Sequence, residues 1–213
     1  MRNTFDRFNG RHQDYQAARP SYAQEFLDWL GELYAPPERY TAADIGSGTG
    51  KLSAQLLAAG FRVCGVEPNP DMRGAAEALL GGDPRFSSSN GTDHDTGLPD
   101  RSVDMVAAAQ AFHWFDGPAF ARECRRILRP GGRAVLVWNV RGSAPMNQAL
   151  AQVFREHCPS FHGFTGGMGE DDPRIRDFFG GAYEKRRFPN PLTLDRDQFL
   201  RRCFSSSYAL REG

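Results

Sequence analysis

The chain has 213 residues, with 26 lysines and arginines against 26 acids and a formal net charge of zero. That length holds one domain, or one with a small addition, and buries about two-thirds to three-quarters of the surface the unfolded chain exposes. Balanced charge gives no reason to expect a polyanionic partner such as a nucleic acid. The cations are Arg apart from Lys51 and Lys185, and the cysteines Cys64, Cys124, Cys158 and Cys203 are scattered without a C-x-x-C pair. Reduced thiols are therefore expected, with no disulfide framework and no zinc site. His157, Cys158 and His162 are close in sequence but match no common ligand spacing, so no metal is expected there. The first fifteen residues lack the apolar stretch of a secretory leader, and no run approaches the ~18 apolar residues of a membrane span. A cytoplasmic chain without membrane contact follows as the expectation.

Residues 1–20 are polar, aromatic and arginine-rich, and read as an N-terminal arm. Tyr22, Phe26, Trp29, Leu30 and Leu33 recur at helical spacing, with Ser21 as the expected N-cap and Pro36-Pro37 as the stop. Short apolar runs then alternate with helical segments. Ala42–Ile45 reads as a first strand, residues 51–60 as a helix closed by Gly60, residues 61–67 as a second strand, and "PDMRGAAEALLGG" as a second helix. "RFSSSNGT" is a weak third strand and "SVDMVAAAQ" a fourth. "PAFARECRRIL" is a helix stopped by Pro130-Gly131-Gly132, and "RAVLVWNV" is a fifth strand. Unbroken apolar runs suit strands covered on both faces, so a doubly wound, mostly parallel α/β sheet is expected. Beyond Arg141 the pattern loosens into a helix at "APMNQALAQVFREH", a glycine-rich aromatic loop, an edge strand at "AYEKRRFPNPLTL" and a capped helix at "DRDQFLRRCF".

The informative turn is Gly46-Ser47-Gly48-Thr49-Gly50, preceded by Asp44. Glycines at a strand-to-helix turn permit positive φ and a close ligand approach. A dinucleotide turn follows G-x-G-x-x-G, but here the last position is Lys51. An acid beside the turn is a poor neighbour for a pyrophosphate and a good one for a cation. Glu67, ending the second strand, sits where a carboxylate can hold a ribose diol.

"ADIGSGTG", "GVEPNPDM" and "RILRPGGRAVL", in that order and spacing, resemble the class I S-adenosylmethionine-dependent methyltransferases. "YQAARPSY", "GTDHDTGLPDRSVDMV" and "AAQAFHWFD" resemble, more narrowly, the small-molecule subfamily that includes trans-aconitate methyltransferase. The resemblance implies a Rossmann-like core over residues 21–141, with an arm (1–20) closing over the cofactor. Residues 142–213 continue the same domain as acceptor-pocket cap and edge strand. The cofactor implied is S-adenosylmethionine, with S-adenosylhomocysteine as product.

The residues implied to hold it are Tyr15 and Arg19 of the arm, Asp44, the turn Gly46, Ser47, Gly48, Thr49 and Gly50, then Glu67, Pro68 and Met72. Thr92, Asp93 and His94 follow the third strand, where relatives carry an Ala-Glu pair, and either Asp93 or His94 is implied to accept from the adenine amino group. Met72 suits either the adenine wall or the core. Gln110 is implied to meet the amino-acid end. His113 and Trp114 would line the acceptor pocket with Arg141, with His113 as general base or as wall. Arginines near Phe161, Phe164 and Met168 would suit an acidic acceptor.

Relatives end in an antiparallel strand beside the fifth, and this chain is expected to lack it, leaving an edge that a homodimer could cover. Two further readings compete: a non-catalytic cofactor-binding regulatory or assembly protein of the same fold, and an NAD-type oxidoreductase. The pairs Arg125-Arg126 and Arg201-Arg202, with Lys185–Arg187, are expected on solvated faces, and no N-P-P-Y-type motif of nucleic-acid methylation occurs.

Overall fold

The structure, a computed structural model, describes residues 20–142, 144–164 and 168–204. In chain order the elements are α1 (Gln24–Leu33), β1 (Thr41–Ile45), α2 (Lys51–Ala58), β2 (Arg62–Val66), α3 (Pro70–Leu80), β3 (Phe86–Ser89) and β4 (Val103–Ala109). They continue with α4 (Gly117–Ile127), β5 (Leu128–Val137), α5 (Pro145–His157), α6 (Pro173–Phe178) and α7 (Arg196–Phe204). The five strands form one sheet in the order β3-β2-β1-β4-β5, and every pairing is parallel. The chain winds outward from β1 in both directions. A crevice therefore opens over the carboxyl ends of β1 and β4, where the connections diverge.

Alternate residues of each strand feed opposite cores. Ala42, Val63, Met105 and Ala107 meet Phe26, Leu27 and Leu30 of α1 and Leu52, Leu56 and Leu57 of α2. Ala43, Ile45, Val66, Val106 and Ala108 face the other way, toward Phe120, Cys124 and Ile127 of α4 and Ile175 of α6. Each Leu, Ile or Phe buried this way contributes about 1.5–3 kcal/mol. A third apolar cluster joins α5, the loop after it and α7 through Phe154, Cys158, Phe161 and Cys203. All four cysteines are free thiols and buried.

Local chemistry explains where the sequence reading and the structure part. α1 begins at Gln24 behind Ala23, which makes no side-chain cap; Ser21 instead offers its carbonyl to Asn139 and Asn190. α4 ends at Ile127, before the Pro130-Gly131-Gly132 stop. Pro130 disfavours helix at Arg129, so the chain turns extended early and the three residues form a bulge inside β5, between the Val103–Leu128 and Met105–Arg133 pairs.

The edge strand expected over residues 182–194 does not form among the described residues. Pro189 and Pro191 offer no N–H to a ladder. Side chains hold that segment instead: Phe188 packs on Phe26 and Trp29, Arg186 lies 5.0 Å over the Trp29 ring, and Asn190 binds Ser21 and Asn139. α6 has no counterpart in the sequence reading. Asp172 caps it through Arg174 N–H. α7 is capped by Asp195 and Gln198, each side chain meeting the other's backbone N–H. Among the described residues β5 is an outer strand and no antiparallel strand follows it.

Candidate functional site

The glycine turn joins β1 to α2 at the crevice. Gly46, Gly48 and Gly50 have φ of 69°, 57° and 81°, the left-handed region that glycine enters freely. Four of its five backbone donors are already used. Gly46 and Ser47 both donate to the Val66 carbonyl, Gly50 donates to Ser47, and Gly48 donates to Glu67 Oε2 at 2.9 Å. Those four N–H groups therefore do not point outward as a phosphate cradle, which weighs against the dinucleotide reading.

Asp44 ends β1 inside the protein, 1% exposed. Its Oδ2 accepts from Ser53 Oγ at 2.7 Å, while Oδ1 is buried without a hydrogen-bond partner among the described residues. Burial, opposed by the Ser53 hydrogen bonds and reinforced by Glu67, pushes the carboxyl up to about 6. The Thr49 hydroxyl is equally buried and unpartnered among the described residues. Both residues line one cleft, which brings a buried acceptor oxygen and a buried hydroxyl, both unpartnered among the described residues, into the wall of one site.

Glu67 accepts one N–H on each oxygen, from Gly48 and from Asn69, both at 2.9 Å. Burial raises its pKa, and the two backbone donors and the Arg73 charge pull against that. Each oxygen keeps a lone pair for a further donor. Asn69 caps α3 by accepting from the N–H groups of Asp71 and Met72. Met72 is buried, and its Cε lies 3.3 Å from where a Cβ on Gly48 would stand, so it serves as both core and wall to the turn. Pro68 follows Glu67, its carbonyl within 3.4 Å of Arg73.

Beyond β3, Thr92 donates its N–H to the Asp95 carbonyl and accepts the Asp95 N–H on its hydroxyl. Asp93 accepts the Asp116 N–H at 3.0 Å and lies 3.1 Å from His94 Nδ1, while the His94 ring is mostly exposed. Of the two, Asp93 is the one held in place.

Gln110 follows β4 with φ 55°, a strained value for a side chain of that size. Its N–H donates to Val137 and its Nε2 to the Asn139 carbonyl, and it lines the cleft opposite the turn. Arg141 and Phe164 line the same cleft, the guanidinium 4.2 Å over the ring. His113 and Trp114 belong to a 3₁₀ turn, Phe112–Trp114, with rings 4.8 Å apart, and do not line that cleft. Phe161 and Met168 are buried in apolar clusters. Tyr15 and Arg19 lie outside the described residues. No group of three or more potential metal ligands occurs among the described residues. No helix there is long and apolar enough to cross a membrane.

Three contributors were not read from the sequence. Arg202, expected on a solvated face, lines the cleft, as do Asn139 and Lys51. The signal for Arg202 was present: Phe199 and Cys203 mark the apolar face of α7, and residue 202 flanks it. Arg126 is likewise no free surface charge. It pairs with the buried Glu123 at 2.6 Å and with Asp100 at 2.7 Å.

A family model described as a methyltransferase domain matches residues 43–136. An uncharacterised methyltransferase-like protein of Schizosaccharomyces pombe is 32% identical over 209 residues, spanning 93% of this chain and 77% of that protein. An uncharacterised methyltransferase of Mycobacterium tuberculosis is 42% identical over 127 residues, 60% of this chain. The chain spans about half the length of that mycobacterial relative, 49%. Among solved structures, a candidate type II methyltransferase from Anaeromyxobacter dehalogenans shares 32% identity and a TM-score of 0.53, over 83% of this chain and 70% of that one. A candidate S-adenosylmethionine-dependent methyltransferase from Methanococcus maripaludis shares the fold, with a TM-score of 0.61 at 21% identity and coverage of 84% and 85%. Sheet order, glycine turn and relatives agree: the chain belongs to the class I S-adenosylmethionine-dependent methyltransferases.

Proposed function

We propose that the chain transfers the methyl group of S-adenosylmethionine to a small acidic acceptor that enters the cleft beside Arg141, Phe164 and Arg202. The observation that carries this reading is the buried Asp44 oxygen, unpartnered among the described residues, on a residue that lines the same cleft as Thr49 with its buried hydroxyl. Such atoms are costly unless a ligand satisfies them. The amino-acid end of the donor supplies a match for each, its ammonium for Asp44 and its carboxylate for Thr49. Glu67 would hold the ribose diol with its remaining lone pairs, and Asp93 would take the adenine amino group. Bound there, the donor supplies a methyl group made electrophilic by a sulfonium.

The chain's own contribution is positional: it aligns two reactants and excludes water. Lys51, Arg141 and Arg202 line the cleft, and among the described lining residues Asp44 is the sole acid. A cationic lining of this kind suits an anionic acceptor as well as the donor's own carboxylate. A carboxylate methylated on oxygen has no proton to lose, so no general base is needed, and His113, which does not line the cleft, is assigned no part in proton abstraction.

Calorimetry with S-adenosylmethionine and S-adenosylhomocysteine tests the donor half. Incubation with isotope-labelled donor and a metabolite extract, followed by mass spectrometry of the acidic, neutral and basic fractions, tests the acceptor. Binding of both compounds and label in the acidic fraction are expected. Folded protein that binds neither compound overturns the reading, and label confined to the neutral or basic fractions overturns its acceptor half.

A further inference from the structure

The loop between β3 and β4 carries Thr92, Asp93 and His94, and its shape centres on Thr96. Thr96 is fully buried. Its carbonyl accepts from Ser89 Oγ at 2.8 Å, and its N–H and hydroxyl donate to Glu123 Oε1 at 2.9 and 2.5 Å. Gly91 is pressed against it: a Cβ there would stand 2.5 Å from the Thr96 carbonyl oxygen. The loop thus closes on itself between residues 91 and 96, with Thr92 and Asp95 bonded across the closure.

Glu123 belongs to α4, whose other buried positions include Phe120, Ala121, Cys124 and Ile127. An apolar residue would pack as well on that face at lower desolvation cost. What Glu123 adds is four hydrogen bonds: two from Thr96 and two from Arg126, at 2.8 and 2.6 Å. Arg126 in turn reaches the Leu98 carbonyl and Asp100. Near the start of the same helix, the Asp116 N–H binds Asp93. α4 therefore holds the loop from both of its ends.

We propose that Glu123 is a positioning residue for donor binding: through Thr96 it fixes the loop whose Thr92 and Asp93 meet the adenine half of the donor. This rests on the function proposed above. Glu123 acts without touching the ligand, because its hydrogen bonds go to Thr96 of the loop and to Arg126.

The test is calorimetric titration of S-adenosylhomocysteine into the wild type, Glu123→Gln, Thr96→Val and Thr96→Ser, with hydrogen exchange on the free and titrated proteins. Glu123→Gln and Thr96→Val should weaken binding about tenfold or more, while Thr96→Ser, which keeps the hydroxyl, stays within about twofold. In Glu123→Gln, added ligand should still protect the amides of residues 46–50 and no longer protect those of 91–96. A merely structural defect would erase both protections together. Should Glu123→Gln fail to fold, the contrast between Val and Ser at position 96 decides alone. Wild-type affinity in both Glu123→Gln and Thr96→Val overturns the proposal. A wild type that binds no S-adenosylhomocysteine overturns the donor reading, and this proposal with it.

Discussion

Gly48 donates its backbone N–H to Glu67 Oε2 at 2.9 Å, which makes the turn after β1 and the acid ending β2 one hydrogen-bonded unit. Asn69 N–H holds the other oxygen, and Arg73 ties the Glu67 carbonyl to Asn90 beyond β3. The carboxylate is thus aimed by the ends of three neighbouring strands before any ligand arrives.

Glu67→Gln sets a donor against a donor. The amide NH₂ of glutamine must face the N–H of either Gly48 or Asn69, leaving one buried N–H unsatisfied at about 1–3 kcal/mol. The expected outcome is a melting temperature lower by several degrees and S-adenosylhomocysteine affinity weakened by about tenfold or more. Thermal denaturation and calorimetry check the two effects separately. Unchanged affinity would remove Glu67 from the donor site.

The three turn glycines should respond differently to alanine. At Gly46 a Cβ would lie 2.8 Å from Ala111 Cβ and 3.2 Å from the Phe115 ring, and Ala111 can yield only by moving backbone. Gly46→Ala should cost about 2–4 kcal/mol, combining overpacking with left-handed strain. At Gly48 the sole close atom is the flexible Met72 Cε at 3.3 Å, so Gly48→Ala should cost about 1 kcal/mol. The added methyl still narrows the approach to the turn, so donor affinity should fall more in Gly48→Ala than its small loss of melting temperature would suggest. Equal stability losses for both variants would contradict this account.

The same turn shows what the chain discloses locally. The strands were legible because β1, β2 and β4 are near-continuous apolar runs between glycines and prolines, and sheets covered on both faces require that. Asp44 and Glu67 were legible because each stands at a fixed place relative to the turn. Non-local placement was not. Phe199 and Cys203 mark α7 as having an apolar face beside Arg202, but they do not say what that face packs on; that follows from their joining Phe154 and Phe161 in a cluster about forty residues away. The segment from Ala182 to Leu194 reads as an edge strand in the sequence, but its prolines and its ring contacts with Trp29 gave it another anchor. α6 is six residues long, too short for periodicity to register.

Gln110 holds φ 55° while its N–H bonds Val137 and its side chain reaches Asn139. Gln110→Gly keeps the backbone bond, relieves the strain and should stabilise the fold by up to about 1 kcal/mol. It also deletes a side chain that lines the cleft, so donor affinity should fall. A variant more stable and weaker in binding is the expected pair of results from denaturant titration and calorimetry. Loss of stability would show that the Asn139 contact outweighs the strain.

Asp44→Asn separates stability from binding through pH. The carboxyl lies near 3.8 when exposed and is pushed to about 6 by burial in the folded chain. The native state therefore binds more protons than the unfolded one between those values. Stability from this residue is fully present below about pH 4 and is lost as pH rises through about 6, at most roughly 3 kcal/mol for a two-unit shift. Asparagine keeps an oxygen for Ser53 Oγ and carries no charge. Asp44→Asn should therefore melt higher than the wild type above about pH 6, and the gap should close toward about pH 4. Binding runs the opposite way. The wild type should lose affinity for S-adenosylmethionine as pH falls through about 6, because the carboxylate that meets the cationic end is being protonated. The variant should bind weakly and with a flatter profile across the range. Melting curves of the free proteins and calorimetry at matched pH values supply both readings, and melting temperatures that run parallel from about pH 4 to about pH 8 would mean that Asp44 is not the buried charge the geometry makes it.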